Sequence, residues 1–248
     1  MDLFDYMRER KLTKEAPLAS RLRPRTLDEI VGQKHILGKD KLLYRAIRAD
    51  KLSSLIFYGP PGTGKTTIAR VIAGTTKADF TQLNATVAGK KDMEAVVAKA
   101  KENLGMYGRK TILFIDEIHR FNKGQQDYLL PFVEDGTVIL IGATTENPYF
   151  EVNGALLSRS VIFELQLLSK EDILTLIHRA VSDKERGMGA YHAEITEEAA
   201  DFLADGIYRD VLVVAHGPVA ARTAGLIEEV VYHIGAVFGV VHLGVELH

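Results

Sequence analysis

The sequence predicts an α/β fold: a parallel β-sheet flanked by helices, followed by a smaller helical unit. Three observations predict it. Short β-rich apolar runs alternate with helix-forming stretches, and a glycine-rich pattern, Gly59-Pro60-Pro61-Gly62-Thr63-Gly64-Lys65-Thr66, leads out of the first such run into a helix. A later run, Thr111 to Ile115, ends in the acid pair Asp116-Glu117. Strands alternating with helices favour parallel pairing with crossover helices on both faces.

The first residues, 1–16, are read as an N-terminal tail. Met1-Asp2-Leu3-Phe4-Asp5 lacks the charged and apolar regions of a signal peptide, so export by the usual route is not expected. Strands are expected at Leu55 to Tyr58, Asp79 to Leu83, Ile112 to Asp116, Thr137 to Thr144 and Val161 to Leu165, all within an α/β domain over residues 17–166. Residues 167–248 are expected to form a helical lid with an atypical C-terminal segment. From Val211 to His248 the composition shifts to ten valines, five glycines, four histidines and no lysine. Val230 to Val241 reads as either a buried helix or a strand, and is far shorter than the ~20 residues that span a bilayer. His233, His242 and His248 lack acid or cysteine partners at metal-binding spacing, so solvated or core histidines are the preferred reading.

Composition narrows the function classes. The chain has 248 residues, 46% hydrophobic and 26% charged, as in a soluble globular protein. It has no cysteine, which removes disulfides and thiolate metal sites and suits a reducing cytoplasm. A net charge of −2 offers no general attraction to nucleic acid. Residues 1–25, with seven Lys/Arg against four Asp/Glu, and Lys90 to Lys110, with six against three, are the local exceptions. Either stretch is a solvated face or a track for phosphates.

The two motifs point to ATP hydrolysis. Glycines at 59, 62 and 64 let successive backbone N–H groups turn inward around phosphate oxygens at the positive end of a helix. Lys65 is expected at the β- and γ-phosphates, and the Thr66 hydroxyl at Mg2+; Pro60, Pro61, Thr63 and Thr67 complete the nucleotide-contacting set. Strand ends of this type are where open α/β sheets place ligands. Asp116 is expected to hold the metal through water, and Glu117 to polarise the attacking water as general base.

Further segments narrow the reading. Leu140-Ile141-Gly142-Ala143-Thr144-Thr145-Glu146-Asn147-Pro148 is a strand ending in hydroxyl and amide side chains, followed by Leu156-Leu157-Ser158-Arg159-Ser160. With Asp116 to Lys123, Gln125-Gln126-Asp127, Pro17 to Pro24 and Leu27 to Gln33, they resemble the replication-associated recombination protein A family. These are AAA+ ATPases related to clamp loaders and to the eukaryotic Werner-helicase-interacting protein. The resemblance covers roughly Pro17 to Asp205 and then fades.

That resemblance implies roles for several residues. Thr145 corresponds to the first sensor, with Thr144 the adjacent alternative. Arg159 corresponds to the arginine finger that enters a neighbouring subunit's site. Ile30, Val31 and Gly32 match the segment against adenine. Gly206-Ile207-Tyr208-Arg209-Asp210-Val211-Leu212 has the skeleton of the second sensor, making Arg209 a γ-phosphate contact, although Ile207 and Val213 depart from the pattern. The family continues into a helical domain associated with tetramer formation that is absent here, so the chain is read as a fragment, a shortened variant or a product of a frame change near residue 206. The function implied by the resemblance is an ATPase, stimulated by DNA, that acts at stalled replication forks in recombination and repair. Its expected partners are single-stranded or forked DNA, single-stranded DNA-binding protein and further copies of itself, with no membrane. A regulatory module that binds ATP but hydrolyses it poorly, and a clamp-loader or branch-migration subunit, are the alternatives.

Overall fold

The computed structural model describes the backbone of residues 16–216 and the side chains of residues 16–208. The atypical segment after residue 216, with its three histidines, and most of the N-terminal tail lie outside the described residues. The chain divides into two compact units.

The first unit, Pro24–Leu167, is built on five parallel strands: β1 (Ser54–Tyr58), β2 (Asp79–Asn84), β3 (Thr111–Asp116), β4 (Val138–Thr144) and β5 (Ser160–Glu164). Their order across the sheet is β2-β3-β4-β1-β5. Each expected strand is present, its limits moved by no more than one residue. Side chains alternate between the faces, and both faces are covered. Leu55, Phe57, Ile112, Phe114, Ile141 and Ala143 share one buried cluster, while Ile56, Leu113, Ile115 and Leu140 share another. A strand buried on both sides must be apolar at every position, which is why these segments read as unbroken hydrophobic runs.

Helices supply the covers. After a short helix α1 (Leu18–Arg21), α2 (Lys34–Leu37) and α3 (Leu42–Arg48) precede β1, and α4 (Lys65–Thr76) follows it. Leu43 and Ile47 of α3, with Ile68, Ala69 and Ile72 of α4, complete the first cluster. On the other face, α5 (Lys90–Tyr107) contributes Met93, Val96 and Ala100, and α6 (Lys123–Glu134) contributes Leu129. The short helices α7 (Pro148–Glu151) and α8 (Gly154–Leu157) connect β4 to β5.

Gly142 is a shape requirement within β4. A Cβ there would lie 2.7 Å from Ile56 Cδ1 and 3.0 Å from Ile118 Cδ1. The missing side chain lets Ile118, in the turn after the acid pair, close onto the sheet.

The second unit joins residues 16–23 to those from 168 onward. Besides α1, its described residues form the helices α9 (Lys170–Ser182) and α10 (Glu197–His216). Ser169 and Asp172 cap α9 reciprocally: Asp172 N–H donates to Ser169 Oγ at 3.2 Å, and Ser169 N–H to Asp172 Oδ2 at 3.1 Å. Ile173, Ile177, Ala200 and Ala204 form the buried centre, and Lys170 bridges Asp201 and Asp205 at 2.8 and 2.9 Å. Leu18 of α1 packs into this same cluster. Leu18, partly buried, lies in the segment from residue 17 that the sequence assigned to the α/β domain.

Candidate nucleotide-binding site

The loop from Gly59 to Gly64 leaves β1 and enters α4. Gly59, Gly62 and Gly64 have φ of +143°, +80° and +92°, where a side chain is strained. A Cβ on Gly59 would lie 2.3 Å from the Leu165 carbonyl oxygen, so the loop begins in close contact with the chain leaving β5. A Cβ on Gly64 would meet nothing within 4 Å, leaving the approach to the first turn of α4 open. Thr63 is buried and its hydroxyl donates to Pro60 O at 3.0 Å, tying the loop across itself.

Lys65 is only 8% exposed and donates to the carbonyl oxygens of Gly59 and Pro60, at 2.7 Å each. Burial lowers its pKa to about 8, against the opposing pull of Glu117 and Asp116. Thr66 and Thr67 are half-buried in the same first turn. Before the loop in sequence, Ile30 packs against the core, and Gly32 and Gln33 turn the chain with φ of +75° and +52°. Gln33 is buried; its Nε2 donates to Thr63 O at 3.3 Å and Gln166 O at 2.6 Å, and its Oε1 accepts from Gln166 N–H at 3.1 Å. One amide therefore joins the Ile30–Gly32 turn, the phosphate-loop pattern and the chain leaving β5.

Asp116 ends β3 beside Asn84 of β2. Burial raises its carboxyl pKa, partly countered by Lys65. Glu117 takes φ +53°, a left-handed turn that separates its side chain's course from that of the strand. Its Oε2 is buried with no hydrogen-bond partner, although His119 Nδ1 lies 3.3 Å away. Asn122 and Gln125 then cap α6 reciprocally.

At the end of β4, Thr144 is fully buried. Its Oγ1 lies 2.9 Å from His119 Nδ1 and accepts from Glu146 N–H at 3.0 Å, and its carbonyl accepts from Gly59 N–H at 3.3 Å. Thr145 is half-buried, and no hydrogen bond of its hydroxyl occurs among the described residues.

Arg159 stands apart. It precedes β5, whose first residue, Ser160, pairs with Ser54 at the beginning of β1, whereas the phosphate-loop pattern comes after Tyr58 at the other end. Four residues of strand separate those levels, roughly 13 Å. Arg159 donates to Ala155 O and Ser158 Oγ, at 2.9 Å each, and forms an ion pair with Glu134.

Residues 22–153 match the family described as the Holliday junction DNA helicase RuvB P-loop domain. The chain belongs to this family. Over 195 residues it is 49% identical to replication-associated recombination protein A of Bacillus subtilis, covering 79% of this chain and 45% of that protein. It is 47% identical over 178 residues to ATPase WRNIP1 of Dictyostelium discoideum, covering 72% of this chain and 20% of that one. The structure of the Thermotoga maritima RuvB Holliday junction branch migration motor overlays with a TM-score of 0.60 at 28% identity, over 85% of this chain and 72% of that chain. The resemblance inferred from the motifs is thus borne out, and so is the AAA+ P-loop fold. The chain spans less than half the length of these two sequence relatives.

For a RuvB-type P-loop domain the donor set fits a nucleotide with a hard cation. Thr66 and Asp116 would offer oxygen ligands, and among the described residues no group of three His, Cys, Asp or Glu could hold a metal by itself. Mg2+ is characteristically held this way, by one or two protein oxygens and the phosphates. The buried, unpartnered Glu117 Oε2 is an acceptor left over by the protein's own bonding.

Two residues escaped the motif reading. Gln33 and His119 both lie within the segments that carried the resemblance, yet neither contact is encoded by spacing: Gln33 meets Gln166 across 133 positions, and His119 meets Thr144 across 25. Arg209 lies on α10, but its side chain is outside the described residues. In the basic stretch from Lys90, Lys90 pairs with Glu94 at 3.7 Å and Arg109 with Asp79 at 3.1 Å, while Lys101 lies over the Phe132 ring. Among the described residues no helix is long and apolar enough to cross a membrane.

Proposed function

We propose that this chain hydrolyses ATP with Mg2+ and uses the cycle to act on DNA in replication-fork maintenance, recombination and repair. The observation that carries the reading is the buried, unpartnered Oε2 of Glu117 directly after Asp116, on the sheet that also presents the Gly59–Thr66 loop. A buried carboxylate oxygen without a donor is costly unless something else supplies the proton, and an attacking water does so.

In this reading the N–H groups of residues 59–66 cradle the phosphates, and Lys65 exchanges its two carbonyl partners for β- and γ-phosphate oxygens. Thr66 and Asp116 hold Mg2+, which when bound offsets charge on the phosphates. Glu117 takes the proton of the attacking water. Thr145 is the better candidate for orienting that water, because the Thr144 hydroxyl is already committed to His119 and Glu146. Ile30, Val31 and Gly32 flank the adenine, with Gln33 holding their turn to the loop.

Arg159, set a strand's length from the loop of its own chain, completes the site of a second copy. Arg209, in the second-sensor pattern, is the candidate contact to the γ-phosphate. DNA, single-stranded or forked, is the macromolecular partner, and single-stranded DNA-binding protein a further one. The overlay with the RuvB branch migration motor favours one second reading, a branch-migration-type subunit.

ATP turnover with and without forked or single-stranded DNA, alongside Glu117→Gln, tests the proposal. The expected result is hydrolysis raised by DNA, with the variant binding ATP but losing about 10² to 10⁴ in rate. Tight ATP binding with no turnover on any DNA would replace it with the regulatory-module reading. Stimulation confined to four-way junctions would select the branch-migration subunit.

A further inference from the structure

His119 faces two oxygens with one nitrogen. Its Nδ1 is 2.9 Å from Thr144 Oγ1 and 3.3 Å from Glu117 Oε2, and the ring is 8% exposed. The Thr144 hydroxyl is itself held by the backbone of Glu146, whose N–H donates to Oγ1 at 3.0 Å and whose carbonyl oxygen lies 3.4 Å away. The ring is therefore hung from a fixed point at the end of β4. Glu117, by contrast, stands on a left-handed residue with Oε2 unpartnered.

We infer that His119 is a positioning residue for Glu117: suspended from the Thr144 hydroxyl, its ring confines the Glu117 carboxylate while leaving Oε2 free to accept a proton. The inference rests on reading Glu117 as the general base. A donor turned onto Oε2 would hydrogen-bond the carboxylate and weaken it as a base. Thr144 prevents this by engaging Nδ1 first. The same bond makes the base respond to the position of the β4 end, directly before the candidate sensor Thr145.

The test uses the 248-residue chain with His119→Leu, His119→Asn, Thr144→Val and Glu117→Gln. His119→Leu is expected to lower kcat about tenfold or more, with KM and ATP affinity within about twofold of the parent protein. His119→Asn, whose amide places a donor near the position of Nδ1, is expected to recover most of the loss. A second readout needs no turnover: in nitrogen-resolved spectra of the nucleotide-free protein, the His119 Nδ1 resonance is expected to move in both Thr144→Val and Glu117→Gln. Parent-level kcat in His119→Leu, equal losses of kcat and ATP affinity in both His119 variants, or an Nδ1 resonance unmoved by either partner's substitution would each overturn the inference. Glu117→Gln separates the two readings. If it retains full turnover, the base assignment falls and this inference with it; if it is dead while His119→Leu is normal, only His119 loses its role. Should the chain bind ATP without turnover on any DNA, the base assignment falls and this inference with it.

Discussion

Lys65 donates to the backbone carbonyl of Gly59, six residues earlier in the loop that a nucleotide's phosphates would occupy, at 2.7 Å. The ammonium is thus satisfied by neutral partners inside the protein, and burial has lowered its pKa to about 8. In the unfolded chain the proton stays on until about 10.5, so between these values the unfolded state binds more protons and stability rises with pH. The cost of the buried charge is fully present below pH about 8 and gone above about 10.5. Across that window, the stability of the nucleotide-free protein relative to Lys65→Met should rise by on the order of 3 kcal/mol at most. Denaturant titrations at several pH values measure it; parallel curves for the two proteins would refute the assignment.

ATP binding should reverse the shift. Phosphate oxygens replace carbonyl oxygens around the ammonium and favour its charged form. Near pH 8.5 to 9, binding should take up part of a proton, seen as a dependence of calorimetric binding enthalpy on the buffer's ionisation enthalpy. No dependence would mean that Lys65 keeps its carbonyl partners in the complex.

Gln33→Ala removes three hydrogen bonds and leaves Gln166 N–H and two carbonyls to find other partners. The expected cost is about 1–3 kcal/mol of stability. Because one of those carbonyls belongs to Thr63, KM for ATP should rise more than kcat falls. A loss confined to kcat would show that the loop does not depend on this amide.

Gly59→Ala forces a methyl group to 2.3 Å from the Leu165 carbonyl, at a φ that strains any side chain. The change should destabilise the protein by about 2 kcal/mol or more and weaken ATP binding with it. Gly64→Ala, which meets no atom, isolates the φ cost alone and should be the milder of the two in denaturation.

Arg159→Ala and Lys65→Met are each expected to be inactive, one lacking the finger and the other the phosphate contact. A mixture should regain activity, because a Lys65→Met copy still presents Arg159 to the intact site of the other. Loss of an arginine finger costs about 10³ to 10⁵ in rate, so recovery of a small fraction is measurable. If the mixture stays inactive while the two copies associate, Arg159 has no role in trans. Glu134→Gln releases the partner that holds Arg159 and, since the pair is half exposed, should change stability by less than about 1 kcal/mol.

Legibility from sequence tracked the range of the interactions involved. β1, β3 and β4 were readable because burial on both faces demands apolar side chains throughout, and loop or acid residues punctuate their ends. The phosphate-loop pattern and Asp116-Glu117 were readable because their chemistry is local to a few consecutive residues. The features that escaped depend on side chains meeting across the fold. Nothing in the spacing foretells that Gln33 reaches Gln166, that His119 reaches Thr144, or that Leu18 packs, partly buried, against the cluster of Ile173. The choice between Thr144 and Thr145 is open in the sequence for the same reason.

Gly142 makes the acid-pair turn answerable to a residue that touches no ligand. A methyl group there must first displace Ile56 Cδ1, 2.7 Å away, and it presses at 3.0 Å on Ile118, which has Glu117 and His119 on either side. In a genetic screen, lesions at this position would therefore be scored among the active-site mutations despite an intact phosphate loop. Suppressors should cluster at Ile56 and Ile118, as smaller side chains that give the added methyl room.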